Sequence, residues 1–157
     1  MIFFTVSFFG HREIEDLRHL DERLSPIIKE IIRLKPQVTF LIGRNGEFDE
    51  YAASVIKRVQ KDDFNKTGEL SLVLPYLVAN IEYYEKYYDS VIIPEEICKA
   101  HPKVAITLKN RWMIERSDLV IVYVERYRGG AYNAMKYAEK LNKRVINICK
   151  SETLELF

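Results

Sequence analysis

Cysteine is scarce in this chain: Cys98 and Cys149 are the only two among 157 residues. Neither their number nor their spacing builds a metal site or a disulfide framework, so both are expected to fill small apolar spaces. Only five prolines and six glycines interrupt the pattern, and hydrophobic residues make up 48% of the chain. That balance excludes disorder on the scale of a domain. Charge of one sign is also missing, with 24 Lys and Arg against 23 Asp and Glu. Global charge therefore supplies no steering toward nucleic acid, although a local basic pocket stays open. No apolar run approaches the roughly 20 residues of a membrane span. The apolar start, Met1 to Phe9, has no basic leader and quickly reaches His11-Arg12-Glu13. A cytoplasmic protein without a membrane partner is expected. No catalytic residue stands out, and no cofactor is specified.

What is present is a repeated strand-then-helix order. Apolar, β-branched and aromatic runs predict strands at Ile2–Phe9, Val38–Ile42, Leu70–Leu74, Val91–Ile93, Leu119–Val124 and Val145–Ile148. Between them, Ile14–Leu34 predicts a helix whose stripe is Leu17, Leu20, Leu24, Ile27, Ile28 and Ile31, with Pro26 expected to kink or divide it. Further helices are expected at Glu47–Lys61, from Asn80 toward Tyr88, at Val104–Glu115, and from Gly129-Gly130 to Leu141. The region holding Pro94 and Pro102 reads as irregular. Continuous rather than alternating apolar strands imply a mainly parallel sheet with helices on both faces. The expected fold is one α/β domain, a Rossmann-like three-layer sandwich over residues 1–157.

Three glycine-bearing turns follow predicted strands and could converge on one sheet edge. Gly10-His11-Arg12 offers close backbone approach plus two donors for an anion, or is simply a solvated turn. Gly43-Arg44-Asn45-Gly46 joins a buried strand to an amphipathic helix. Arg44 suits a phosphate, and Asp49 or Glu47 could accept from ribose hydroxyls or serve as helix caps. Gly129-Gly130 opens the late helix, where exposed amides favour a phosphate. The spacings complete neither a P-loop nor a dinucleotide fingerprint. Arg111 and Arg116 are anion contacts or clamps on Asp118, while Trp112 and Met113 read as packing residues. Tyr132, beside the paired glycines, is a candidate for framing a ligand, and Tyr83, Tyr84, Tyr87 and Tyr88 form an aromatic helix face.

Taken together, Val6-Ser7-Phe8-Phe9-Gly10-His11-Arg12, Gly43 to Asp49, Leu74-Pro75-Tyr76, Asn110 to Asp118 and Gly129-Gly130 form a pattern across most of the chain. It resembles the SLOG superfamily, and within it the YpsA-like (DUF1273) family. The resemblance implies a Rossmannoid fold that binds a nucleotide or nucleotide-derived molecule at the strand ends. The implied role is a sensor or regulatory module. It also implies self-association as a dimer through a helical face. Related lonely-guy enzymes carry Pro-Gly-Gly-x-Gly-Thr-x-x-Glu, whereas this chain has Arg128-Gly129-Gly130-Ala131-Tyr132-Asn133-Ala134-Met135-Lys136. Lys136 at the glutamate position weighs against that phosphoribohydrolase activity. Glu47, Asp49 or Asp118 remains the alternative acid for an N-glycosidic hydrolase or transferase.

Overall fold

The computed structural model describes residues 3–149. Six strands form one sheet, β1 (Phe4–Gly10), β2 (Val38–Ile42), β3 (Gly68–Val73), β4 (Ser90–Ile92), β5 (Leu119–Tyr123) and β6 (Arg144–Asn147). Their order is β4-β3-β2-β1-β5-β6, and every pairing is parallel. The expected Rossmann-like sandwich is the observed fold. The proposed start of the first strand at Ile2 lies outside the described residues.

The period of the strands explains why their apolar runs are continuous. Successive side chains point to opposite faces, so Val6 and Phe8 enter one core while Phe9 enters the other. The larger core lies beneath α1 (Leu17–Leu34) and α2 (Glu47–Lys61), with Phe40, Ile42, Leu70 and Ile121 on the sheet side. The second core joins Leu41, Val120 and Val122 to α5 (Pro102–Glu115) and α6 (Gly130–Lys140). Fully burying a large apolar side chain contributes about 1.5–3 kcal/mol, so both faces of the sheet stabilise the fold.

Local chemistry sets the helix limits. Asp16 accepts from the His19 amide at 3.4 Å to open α1, and Pro102 starts α5, where its missing donor is harmless. Pro26 does not divide α1, which runs through it. It stands on the exposed side of the helix, where water can satisfy the carbonyl it leaves unpaired. Leu17 departs from the expected stripe and is exposed, whereas Leu20, Leu24, Ile27, Ile28 and Ile31 are buried. The Pro94–Pro102 region is not wholly irregular, because α4 (Glu95–Cys98) forms one short turn of helix after α3 (Ile81–Tyr87) and β4. Cys98 is exposed rather than packed, its thiol donating to the Glu95 carbonyl at 3.3 Å. Cys149 is half-buried against the larger core. Among the described residues, no helix is long and apolar enough to cross a membrane.

The topology also locates a crevice. From β1 the chain builds outward through β2, β3 and β4, then returns to the other side of β1 for β5 and β6. The loops leaving β1 and β5 therefore turn opposite ways at their C-terminal ends, which leaves a gap suited to a ligand.

Candidate functional site

A cavity of about 560 Å³ occupies that gap, within the usual range for small-molecule sites. The β1–α1 loop supplies Gly10 to Glu13, the β2–α2 segment Asn45 and Asp49, α5 Lys109 and Asn110, and the β5–α6 loop Arg126 and Arg128 to Ala131. All of these lie at the C-terminal edge of the sheet.

The floor is built by Lys109, which the sequence reading passed over. It is only 2% exposed. Its position follows from the helix: Ala105, Lys109 and Met113 stand four residues apart on the buried face of α5. About two turns beyond Lys109, just past the end of α5, Ser117 Oγ meets Ser7 Oγ at 2.6 Å and ties the helix end to β1. The ammonium ends 2.5 Å from where a Gly43 Cβ would sit, and Asp49 Oδ2 lies 3.2 Å from the same point. Gly43 therefore matters by leaving room for Lys109. Burial pushes the Lys109 pKa down, which the Asp49 charge opposes. Burial likewise raises the Asp49 pKa, opposed by Lys109 and by the Asn45 amide, which donates to Asp49 Oδ2 at 2.9 Å. The Asn110 Oδ1 atom is buried without a hydrogen-bond partner among the described residues, which is costly.

His11 lines the cavity as expected, but its Nε2 accepts from the Glu125 and Arg126 amides at 2.9 and 3.3 Å. It is therefore a neutral imidazole carrying its proton on Nδ1. Its pKa is lowered first by burial and then by Arg126, with Glu125 acting the other way. Gly10 serves packing as well as the cavity wall, since a Cβ there would lie 2.1 Å from Cγ of Phe48. Gly46 admits the Arg12 backbone, whose Cα would be 2.4 Å from an added Cβ. The Glu47 amide donates to the Arg12 carbonyl at 2.9 Å. Gly129 has a φ of +94°, a conformation that favours glycine, and neither it nor Gly130 would bring a Cβ within 4 Å of any described atom. Their backbone faces open space at the start of α6.

Several expected residues stand elsewhere. Arg111 is two residues on from Lys109, on the outer side of the helix, with its guanidinium over the Tyr137 ring at 5.0 Å, outside the cavity. Arg116 lies over Trp112 at 4.0 Å. Tyr132 packs edge-on to Tyr127 at 6.0 Å and does not line the cavity. Arg44 donates to the Tyr84 hydroxyl at 3.2 Å and borders a smaller neighbouring cavity. Asp118 precedes β5 and accepts from the Thr5 amide at 2.9 Å, so it occupies the opposite end of the parallel sheet. Glu47 is engaged by the Ile14 amide at 2.8 Å. Of the three candidate acids, Asp49 alone lines the cavity. Lys136 is exposed and pairs with Glu139 at 3.1 Å. In the aromatic face, Tyr84 lies 6.3 Å from Tyr88, with Tyr83 edge-on to Tyr84 at 5.4 Å and Tyr87 edge-on to Tyr88 at 4.9 Å.

Among the described residues no three His, Cys, Asp or Glu side chains gather as metal ligands. The cavity instead presents Arg12, Lys109, Arg126 and Arg128 against the acids Glu13 and Asp49, a set suited to an anion.

No protein-family model matches the chain, and no curated protein matches it. Solved structures do share the fold. DNA processing protein A (DprA) from Streptococcus pneumoniae aligns over 91% of this chain and 49% of its own, with 15% identity and a TM-score of 0.65. The Helicobacter pylori DNA processing protein A, described for its single-stranded DNA binding mode, aligns over 90% and 63%, with 15% identity and a TM-score of 0.58. A molybdenum cofactor carrier protein from Chlamydomonas reinhardtii aligns over 90% and 74%, with 14% identity and a TM-score of 0.57. The chain thus spans about half the length of the Streptococcus protein and less than two thirds of the Helicobacter one.

Proposed function

We propose that this chain is a SLOG-type domain whose crevice binds a phosphorylated, nucleotide-derived small molecule, as a sensor or regulatory module. One observation carries the reading: Arg12, Lys109, Arg126 and Arg128 converge on the same cavity as the open backbone of Gly129 and Gly130. A phosphate at the start of α6 meets unpaired amides and the positive end of the helix. Lys109 adds a desolvated point charge from below, where a low dielectric strengthens the attraction. The arginines, nearer the mouth, offer forked donors to the remaining oxygens. Asp49 accepts from the Asn45 amide, and its charge attracts Lys109. The fold likeness lends support, since two of the proteins named above are DNA processing proteins and the third is a molybdenum cofactor carrier. The near-neutral overall charge favours a small ligand over a nucleic acid strand.

Calorimetric titration with AMP, ADP, UDP-glucose and NAD tests this reading. Saturable binding by at least one, weakening as salt rises, is the expected result. Failure of all four to bind would remove it.

A second reading is N-glycosidic cleavage, favoured by one fact: Asp49 is a buried acid of raised pKa on the cavity floor. Such an acid gives up its proton less readily than an exposed carboxyl, as donation to a departing base requires. Release of free base from a bound nucleotide, abolished in Asp49→Asn, distinguishes it from binding alone.

A further inference from the structure

The crevice does not end at Arg12. A second cavity of about 230 Å³ lies beyond the ends of β2 and β3, and Arg12, Asn45 and Ile106 line both. The two spaces are therefore neighbours, with those three residues as their common wall. The smaller compartment has room for a single flat ring system rather than a whole nucleotide.

Its own walls fit that occupant. Arg44 is held by Tyr84, both through the 3.2 Å hydrogen bond and through its guanidinium, 5.2 Å from the ring centre. A cation immobilised in this way retains further donors and a planar face. Tyr76 borders the same space and is 38% exposed, so its ring is neither committed to the core nor fully free. An aromatic ring and a planar cation in one small polar compartment are the elements that stack a heterocycle. At the common wall, Arg12 has its charge within reach of both sides.

We infer that the two cavities together take a two-headed ligand in which a pyrophosphate joins two ring-bearing groups. One head fills the larger compartment, with a phosphate at the start of α6. The bridge passes Arg12, and the second head stacks beside Tyr76 and Arg44. This rests on the binding function proposed above and narrows its ligand class. A mononucleotide would satisfy the larger compartment and leave the smaller one to water.

ADP and NAD discriminate the two cases, because both carry an adenosine and a pyrophosphate while only NAD carries a second ribose and ring. Titration of the whole chain should show NAD binding at least tenfold more tightly than ADP. Tyr76→Ala should erase that advantage and leave ADP affinity unchanged, and Tyr76→Phe, which keeps the ring, should preserve it. Equal affinities for the two ligands would overturn the two-headed assignment while leaving nucleotide binding intact. So would a Tyr76→Ala variant that loses ADP and NAD affinity alike. If no nucleotide binds at all, this inference falls together with the proposed function.

Discussion

Glycine at positions 10 and 130 has opposite physical reasons, and adding one methyl group at each separates them. At Gly10, an alanine Cβ would lie 2.1, 2.4 and 2.5 Å from three carbons of Phe48, whose side chain is fully buried. The ring has no free space to enter, so the substitution belongs at the upper end of the overpacking range, about 3 kcal/mol. For a domain of this size that is a fall in Tm of roughly 6–12 °C. At Gly130, the first residue of α6, the same methyl meets nothing within 4 Å among the described residues. Removing glycine's extra freedom from the unfolded chain should stabilise the protein by about 0.4–1 kcal/mol. The same methyl narrows the approach of a phosphate to the helix start, and a tenfold loss of ligand affinity, about 1.4 kcal/mol, is expected. Urea denaturation reads the stabilities, and calorimetry reads the binding. Gly10→Ala combined with Phe48→Leu should recover part of the loss, because the shared contact makes the two changes non-additive. A Gly10→Ala variant within about 0.5 kcal/mol of the parent, the range of an ordinary surface change, would refute the packing argument. A more stable Gly130→Ala variant that binds as tightly as before would refute the role given to that backbone.

Two further outcomes concern titratable groups. Lys109→Met should abolish most phosphate-dependent binding, measured by the same titrations, while the fold persists. Because burial lowers the Lys109 pKa in the folded state, the native protein binds fewer protons than the unfolded chain as pH approaches 10.5. Stability from this group therefore rises with pH on the alkaline side, and Lys109→Met should flatten that limb of a urea-midpoint profile. His11 also has a lowered folded pKa, so its contribution is complete above about 6.5 and is lost as pH falls toward the folded value. Protonation would turn Nε2 into a donor facing the Glu125 and Arg126 amides. His11→Leu should cost about 1–3 kcal/mol at neutral pH by stranding those amides, and the gap from the parent should shrink between pH 7 and pH 5.5. A constant gap would argue that the ring titrates alike in the folded and unfolded chain, against the lowered folded pKa.

The layout of the fold was legible because its signals are local. Leu119–Tyr123 is an uninterrupted apolar run and Val38–Ile42 is broken only by Thr39, as a strand covered on both faces requires. The stripes of α1 and α2 likewise announce their buried sides. The site was harder, since its geometry depends on partners distant in sequence. Gly10 was legible as a special backbone position, but the residue that demands it, Phe48, is 38 places away in the chain numbering. Lys109 was overlooked because lysine is rarely fully buried. The spacing of Ala105, Lys109 and Met113 was the available signal, and it also puts Arg111 on the outer side. Asp118 was misplaced for a different reason: it opens β5, and in a parallel sheet the opening ends lie across the molecule from the ligand edge. The α4 turn escaped notice because four residues between prolines carry no periodic pattern.

The outermost strands, β4 with three residues and β6 with four, are the shortest in the sheet. So brief a rim offers a neighbouring molecule too few backbone partners to extend the ladder from one copy into the next. The helical layers that cover both faces of the sheet are the broader surfaces left for contact with a second copy.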